Sequence, residues 1–280
     1  MEALEPEPPD GPAQSRDSQT ITATLTQVQQ AVEAARHDAA AALRAAQHAT
    51  RVAQRTEERA RSGVWLTAQE VSALNFLQQA LPQDRLLPPL GGWSMDYSVV
   101  AVIHDYARAL SRPAVMVELG SGAGTPWLGL IAAQNGGRLL SIEHDEAFVA
   151  STSRLVQHYG LSDSNTMVHA PLTEREDGDP WFSISSIDEA LPGFLGSDLL
   201  DVLIVDGPPS GIGPYARTPA LSELAAHLRH GALVVLDDTV RPEEKQIWSW
   251  WLEEFADQLE PYPLQLTNAS MALWRGDRNT

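Results

Sequence analysis

Val115-Met-Val-Glu-Leu-Gly-Ser-Gly-Ala-Gly-Thr-Pro-Trp-Leu-Gly-Leu130 decides the fold of this chain. A short apolar run leads into three alternating glycines and then into a helix start, which predicts a strand, a nucleotide-binding turn and a helix. Gly120, Gly122 and Gly124 let the backbone take positive φ and let a ligand approach closely. Thr125 is placed to cap the helix, and Pro126 suits its first turn. A ligand is expected over that helix N-terminus.

The neighbouring residues narrow the ligand, because a glycine turn is shared by several nucleotide folds. A dinucleotide turn wants a third glycine three positions after Gly122, where Thr125 stands. Glu118, two residues before the first glycine, suits a cationic ligand better than a pyrophosphate. Residues Arg138 to Glu143 read as a second strand ending in an acid 23 positions after Gly120, where a ribose hydroxyl would be held. Glu118, the glycines and Glu143 together read as recognition of S-adenosylmethionine.

Glu118 to Gly124, Glu143-His144-Asp145 and Val205-Asp206-Gly207-Pro208-Pro209 resemble a class I S-adenosylmethionine-dependent methyltransferase, over roughly Trp93 to Trp274. The resemblance implies an α/β fold: a Rossmann-like, mostly parallel sheet with an antiparallel C-terminal hairpin. Asp206-Gly-Pro-Pro, Ala216-Arg-Thr-Pro-Ala-Leu221 and Leu236-Asp-Asp-Thr239 are most similar to bacterial methyltransferases linked to sugars and surface glycans. By the same resemblance, the cofactor is contacted from Glu118, Gly120, Ser121, Gly122, Gly124, Thr125, Glu143, His144 and Asp206. Ala170, Pro171 and Leu172 follow the third strand at the adenine edge. Trp93, Ser94 and Met95 are candidates for the pocket wall.

Methyl transfer is an in-line displacement, so the protein must position an acceptor oxygen and help it lose a proton. Asp206, Asp237 and Asp238 end the fourth and fifth strands and converge at one edge of the sheet. Three carboxylates suit a hard ion, Mg²⁺ or Mn²⁺, and metal-dependent catechol-type O-methyltransferases place an acid and an Asp-Asn pair at such positions. Here the pair is Asp-Asp. That family's catalytic lysine falls on Pro209, and Lys245 is the chain's one lysine. Asp206 and Asp238 are therefore the catalytic candidates, with the base open among Asp206, Asp238 and His144.

The formal net charge is −18, and residues 64–280 hold 28 acids against 12 bases. Nucleic-acid affinity comes largely from Lys and Arg on phosphates, so DNA or RNA is disfavoured as the acceptor, and the resemblance implies a hydroxylated small molecule or glycan instead. With no cysteine, thiolate metal sites and a cysteine nucleophile are excluded. Met1 to Pro12 is acidic and proline-rich, without the basic start or apolar core of a signal peptide. No run is long enough to span a bilayer, and the expected location is cytoplasmic.

Residues 1–17 read as a disordered tail and 18–62 as a coiled-coil helix. Its seam runs Ile21, Leu25, Val28, Val32, Ala35, Ala39, Ala42, Ala46, Ala49 and Ala53, and it predicts homo-oligomers. Residues 63–92 are a helical linker, with Gly63 ending one helix and Thr67-Ala-Gln-Glu70 opening another as a capping box. Residues 93–280 form the methyltransferase domain. Within it, 173–197 read as irregular with Trp181-Phe182 as packing, a helix spans 219–229, and a closing hairpin pairs 264–267 with 271–274. Two further classes stand beside this reading: a coiled-coil scaffold with a cofactor-binding, non-catalytic module, and a nicotinamide-dependent oxidoreductase, which predicts the missing third glycine. Metal-independent methyl transfer and aminopropyl transfer are alternatives on the same fold.

Overall fold

The structure is a computed structural model; it describes residues 63–81, 84–176, 178–264 and 266–276, with seven isolated positions between 27 and 50. The chain divides into two units, Met1–Trp65 and Leu66–Thr280. In the first, the isolated positions, Glu33 and Leu43 among them, are helical and exposed. The tail 1–17 and every seam position from Ile21 to Ala53 lie outside the described residues.

The second unit is built on strands β1 (Val115–Leu119), β2 (Arg138–Glu143), β3 (Asn165–His169), β4 (Leu172–Thr173), β5 (Trp181–Phe182), β6 (Leu200–Val205), β7 (Leu228–Leu236), β8 (Leu259–Pro261) and β9 (Ser270–Trp274). Seven of them form one sheet in the order β3-β2-β1-β6-β7-β9-β8, and β4 pairs with β5 apart from it. Strands β3, β2, β1, β6 and β7 run parallel, while β9 is antiparallel to both β7 and β8. The strand order reverses between β1 and β6, and a crevice opens there beyond the carboxyl ends of the strands.

Helices cover both faces, which is why the central strands are continuous apolar runs rather than alternating ones. They are α1 (Tyr97–Ala109), α2 (Thr125–Asn135), α3 (Glu146–His158), α4 (Ile184–Leu195), α5 (Pro219–Leu224) and α6 (Pro242–Glu254). Val115, Val117 and Leu119 pack with Trp181, Phe182 and Trp251 in one core. Met116 belongs to the other, with Val99 and Ile103 of α1, Leu128 and Ile131 of α2, and Leu77. Side chains alternate along a strand, so Glu118 faces the same side as Met116. Among the described residues no helix is long and apolar enough to cross a membrane.

Several expectations are corrected. Residues 63–80 are helical without a break, so Gly63 does not end a helix and Thr67 does not open one. Glu70 instead accepts a hydrogen bond from the backbone N–H of Ser98 at 3.2 Å. The stretch 173–197 is irregular only between β4 and β5; beyond β5, Ser183 caps α4 by accepting from Ser186 N–H, and Ile187, Leu191 and Leu195 bury one face of it despite Pro192. Trp181 and Phe182 are fully buried, in keeping with packing. The helix expected over 219–229 stops at Leu224, because Leu228 already pairs with Leu200 in the sheet. The first strand of the closing hairpin is Leu259–Pro261, where Leu259 is buried, and Leu264 is left exposed.

Candidate active site

The glycine turn is built by the close approach of two strand ends. Gly120 has φ +92°, and a Cβ on it would lie 2.9 Å from the carbonyl oxygen of Asp206. Only glycine meets both conditions. Gly122 and Gly124, in contrast to expectation, do not need positive φ. Thr125 does not cap α2 either; its Oγ1 accepts from Gly122 N–H at 3.0 Å and so closes the turn, while Gly124 takes the N-cap position.

Glu143, at the end of β2, is buried and holds this turn in place. Its Oε2 accepts from Ser121 N–H at 2.8 Å, and its Oε1 accepts from the N–H groups of His144 at 2.8 Å and Asp145 at 2.9 Å. His144 Nδ1 lies 2.7 Å from the same Oε1, which commits that ring to the Glu143 side of the cleft. Glu118 is buried beneath the turn and accepts from Ser141 Oγ at 2.6 Å. Burial pushes its carboxyl up to about 7, against the opposing hydrogen bonds from Ser141 and Thr125.

These groups line a cavity of about 550 Å³ that continues to the ends of β6 and β7. Glu118, Gly120, Ser121, Gly122 and Gly124 form its floor, and Glu143, His144 and Phe148 one wall. Asp206 and Asp238 stand on the opposite wall, and Trp93, Ser94 and Met95 form part of the rim. Five residues assigned from the sequence, Thr125, Ala170, Pro171, Leu172 and Asp237, do not line it. Thr125 is buried under the turn, Asp237 is buried behind Asp238, Ala170 is buried with its N–H on the Glu143 carbonyl, and Leu172 lies in β4.

Two arginines that the sequence reading passed over stand among the carboxylates, Arg217 and Arg241, and both line the cavity. Arg217 lies two residues before α5, between the buried Ala216 and Ala220, and is itself buried. Nothing in the sequence around it marks it as a site residue. Arg217 Nη2 lies 3.1 Å from Asp238 Oδ2 and 3.5 Å from Asp206 Oδ1, and Arg241 Nη1 lies 2.9 Å from the same Asp238 Oδ2. Asp238 takes φ +63°, a conformation that L residues rarely adopt and that clusters at functional sites.

The acids offer one oxygen each within 4.8 Å of one another, as a shared cation requires, and Asp237 Oδ1 is buried without a partner among the described residues. The donor types therefore suit Mg²⁺. The positions suit it poorly, since two guanidinium groups already lie on the oxygen that Asp238 turns toward them. Burial, with the neighbouring acid next, raises the Asp237 carboxyl to about 7, and the same two causes hold Asp206 well above the usual carboxylate range.

Residues 117–239 match a family model described as a methyltransferase domain. That segment spans the glycine turn, both acidic strand ends and Arg217. Over those residues the chain thus carries a methyltransferase domain. In structure it is similar to an O-methyltransferase of Streptomyces achromogenes involved in tomaymycin synthesis, solved with SAM (21% identity, 73% of this chain and 90% of that one, TM-score 0.46). It is also similar to an O-methyltransferase of Bacillus cereus solved with SAH (16% identity, 74% and 91%, TM-score 0.48). A SAH-bound methyltransferase of Podospora anserina is a third (12% identity, 78% and 96%, TM-score 0.49). No curated protein sequence matches the chain.

Proposed function

We propose that the protein transfers the methyl group of S-adenosylmethionine to a hydroxyl oxygen of a sugar, a glycan or another small molecule. The observation that carries this reading is the continuity of the cavity, which joins the turn and Glu143 at one end to Asp206 and Asp238 at the other. The cofactor's ribose belongs at Glu143 and its cationic end near Glu118. The transferable methyl then points at the carboxylates. The acceptor oxygen forms its bond to the methyl carbon as the carbon–sulfur bond breaks, and that electron pair returns to sulfur. The hydroxyl proton leaves to a carboxylate, a role that the position of Asp206 and Asp238 in the cavity lining supports.

Trp93 supports a ring-shaped acceptor, since it stands 93% exposed on the rim of the cavity, where a sugar or aromatic face could stack on it. The excess of 28 acids over 12 bases in residues 64–280 supports an acceptor other than nucleic acid. Incubation with labelled cofactor and pools of nucleotide sugars, oligosaccharides, phenols and RNA tests the reading. Label is expected in a hydroxylated small-molecule or glycan pool, and exclusive labelling of RNA overturns it.

Two finer parts of the proposal have their own tests. Assistance by Mg²⁺ or Mn²⁺ on Asp206, Asp237 and Asp238 is the second reading of the acidic end, favoured by the partnerless Asp237 Oδ1 within 4.8 Å of its neighbours. It predicts loss of turnover with a chelator and recovery with either ion. Self-association through residues 18–62 rests on the seam from Ile21 to Ala53. Light scattering should give a smaller assembly when residues 1–62 are removed, and a monomer for both chains would end that part. A cytoplasmic setting fits the same reading.

A further inference from the structure

The acidic end of the cleft contains its own cation. Arg217 is only 4% exposed, and an arginine remains protonated in any protein environment, so it can be buried only where anions and carbonyls surround it. They do. Its Nε donates to Pro208 O at 3.1 Å, its Nη1 to Asp237 O at 3.2 Å and its Nη2 to Asp206 O at 3.0 Å. Those carbonyls lie at or just beyond the ends of β6 and β7, and the guanidinium ties the two ends together. From that anchorage Nη2 reaches Asp206 Oδ1 and Asp238 Oδ2.

We infer that Arg217 is the resident counter-ion of the Asp206–Asp238 pair, standing where a divalent ion would otherwise be held, so that methyl transfer at this site needs no metal. The inference rests on the methyltransferase reading for its chemistry, but its geometry is independent of the acceptor. A divalent ion coordinates carboxylate oxygens at roughly 2.0–2.6 Å. Placed on Asp238 Oδ2, it would share that oxygen with Arg217 and Arg241, at 3.1 Å and 2.9 Å, and three cations would crowd one anion. The third acid needed to outweigh that repulsion, Asp237, does not line the cavity.

The charge count agrees. The two acids that line the cavity, Asp206 and Asp238, face two guanidinium groups, Arg217 and Arg241, one for each carboxylate. A divalent ion would add two positive charges to a pair of acids that already has its counter-charges. Arg217 is on this view a positioning residue. It fixes the carboxylate of Asp206 at the wall where the acceptor hydroxyl must arrive, and it keeps Asp238 turned inward at its unusual φ.

Manganese binding, read by its electron paramagnetic signal and by calorimetry on the full chain, tests this without an acceptor. Wild-type protein is expected to bind no stoichiometric Mn²⁺ at up to about 1 mM, the weak end of protein cation affinities. Arg217→Ala should expose the carboxylates and bind one Mn²⁺ at least about tenfold more tightly than wild type. Arg217→Lys, which keeps the charge, should remain closer to wild type. S-adenosylmethionine binding and thermal melting report whether each variant is folded. Should Arg217→Ala fail to fold, the wild-type titration still decides. One tightly held Mn²⁺ per wild-type chain that disappears in Asp238→Asn overturns the inference. If no acceptor is ever labelled while wild type still rejects Mn²⁺, the methyltransferase reading is the one that has failed.

Discussion

The two ends of the cleft, which we assign to the cofactor and to the acceptor, are built in different ways. At the cofactor end, carboxylates meet backbone N–H groups: Glu143 alone accepts from Ser121, His144 and Asp145. At the acceptor end, carboxylates meet guanidinium groups, and the backbone contributes carbonyls that hold Arg217. The first end is a preformed mould for a ligand of fixed shape. The second is a charge balance that an arriving acceptor can perturb. Substitutions at the first should therefore change affinity for the cofactor, and substitutions at the second should change the rate.

The largest effect is expected at the acceptor end. Asp206→Asn should slow methyl transfer by about 10²–10⁴-fold, the span typical of removing a group that takes the proton, with cofactor affinity changed only a few-fold. Single-turnover measurement beside calorimetry checks it. Equal losses in rate and affinity would erase the division between the two ends.

The glycine turn separates shape from folding. Gly122 has open space within 4 Å of an added Cβ and lines the cavity. Gly122→Val should leave the melting temperature unchanged and weaken cofactor binding by about 100-fold, since overpacked contacts cost a few kcal/mol. Gly120→Ala should do the reverse of this on stability, costing about 3 kcal/mol through its φ of +92° and the Asp206 carbonyl. If the two variants behave alike, the close approach of β1 and β6 is not what the turn depends on.

A smaller effect comes from pH. Burial raises Glu118 to about 7 in the fold, from 4.5 in an unstructured chain. The free protein therefore binds more protons than the unfolded chain between those values. The resulting stability is fully present below 4.5 and is lost as pH rises through 7. A sulfonium beside Glu118 favours the ionised form. Affinity for S-adenosylmethionine relative to its uncharged-sulfur product should rise by up to about tenfold from pH 6 to pH 8, one pKa unit of differential interaction. A constant ratio would remove Glu118 from contact with the positive charge. The mildest change is Trp93→Ala, which should raise the acceptor KM by about fivefold, the loss of one stacking contact, and leave kcat in place.

Sequence legibility follows the same division. The cofactor end was readable because its parts are local: Glu118, Gly120 and Gly122 fall within five residues, and Glu143 ends the next strand. Arg217 was not, because what makes it part of the site is the set of carbonyls at Asp206, Pro208 and Asp237, which only the packing of β6 on β7 brings together. The acids of the cluster are legible in the sequence, and the guanidinium groups beside them are not. Helix α4 was missed because Pro192 and Gly193 hid an apolar spacing of Ile187, Leu191 and Leu195. The sheet itself was legible in β1 to β3, in β6 and β7, and in β9. It became less so where a three-residue strand, Leu259–Pro261, carries too little pattern to announce itself.

That short strand forms one border of the sheet, and its chemistry limits what can attach there. Pro261 has no N–H to offer a further strand, and Glu260 is engaged by Arg275 Nε at 2.6 Å. An extended segment from another molecule would find few free donors along this rim and a charged pair across its path. The β8 border is thus guarded against the edge-to-edge growth that turns exposed sheets into aggregates.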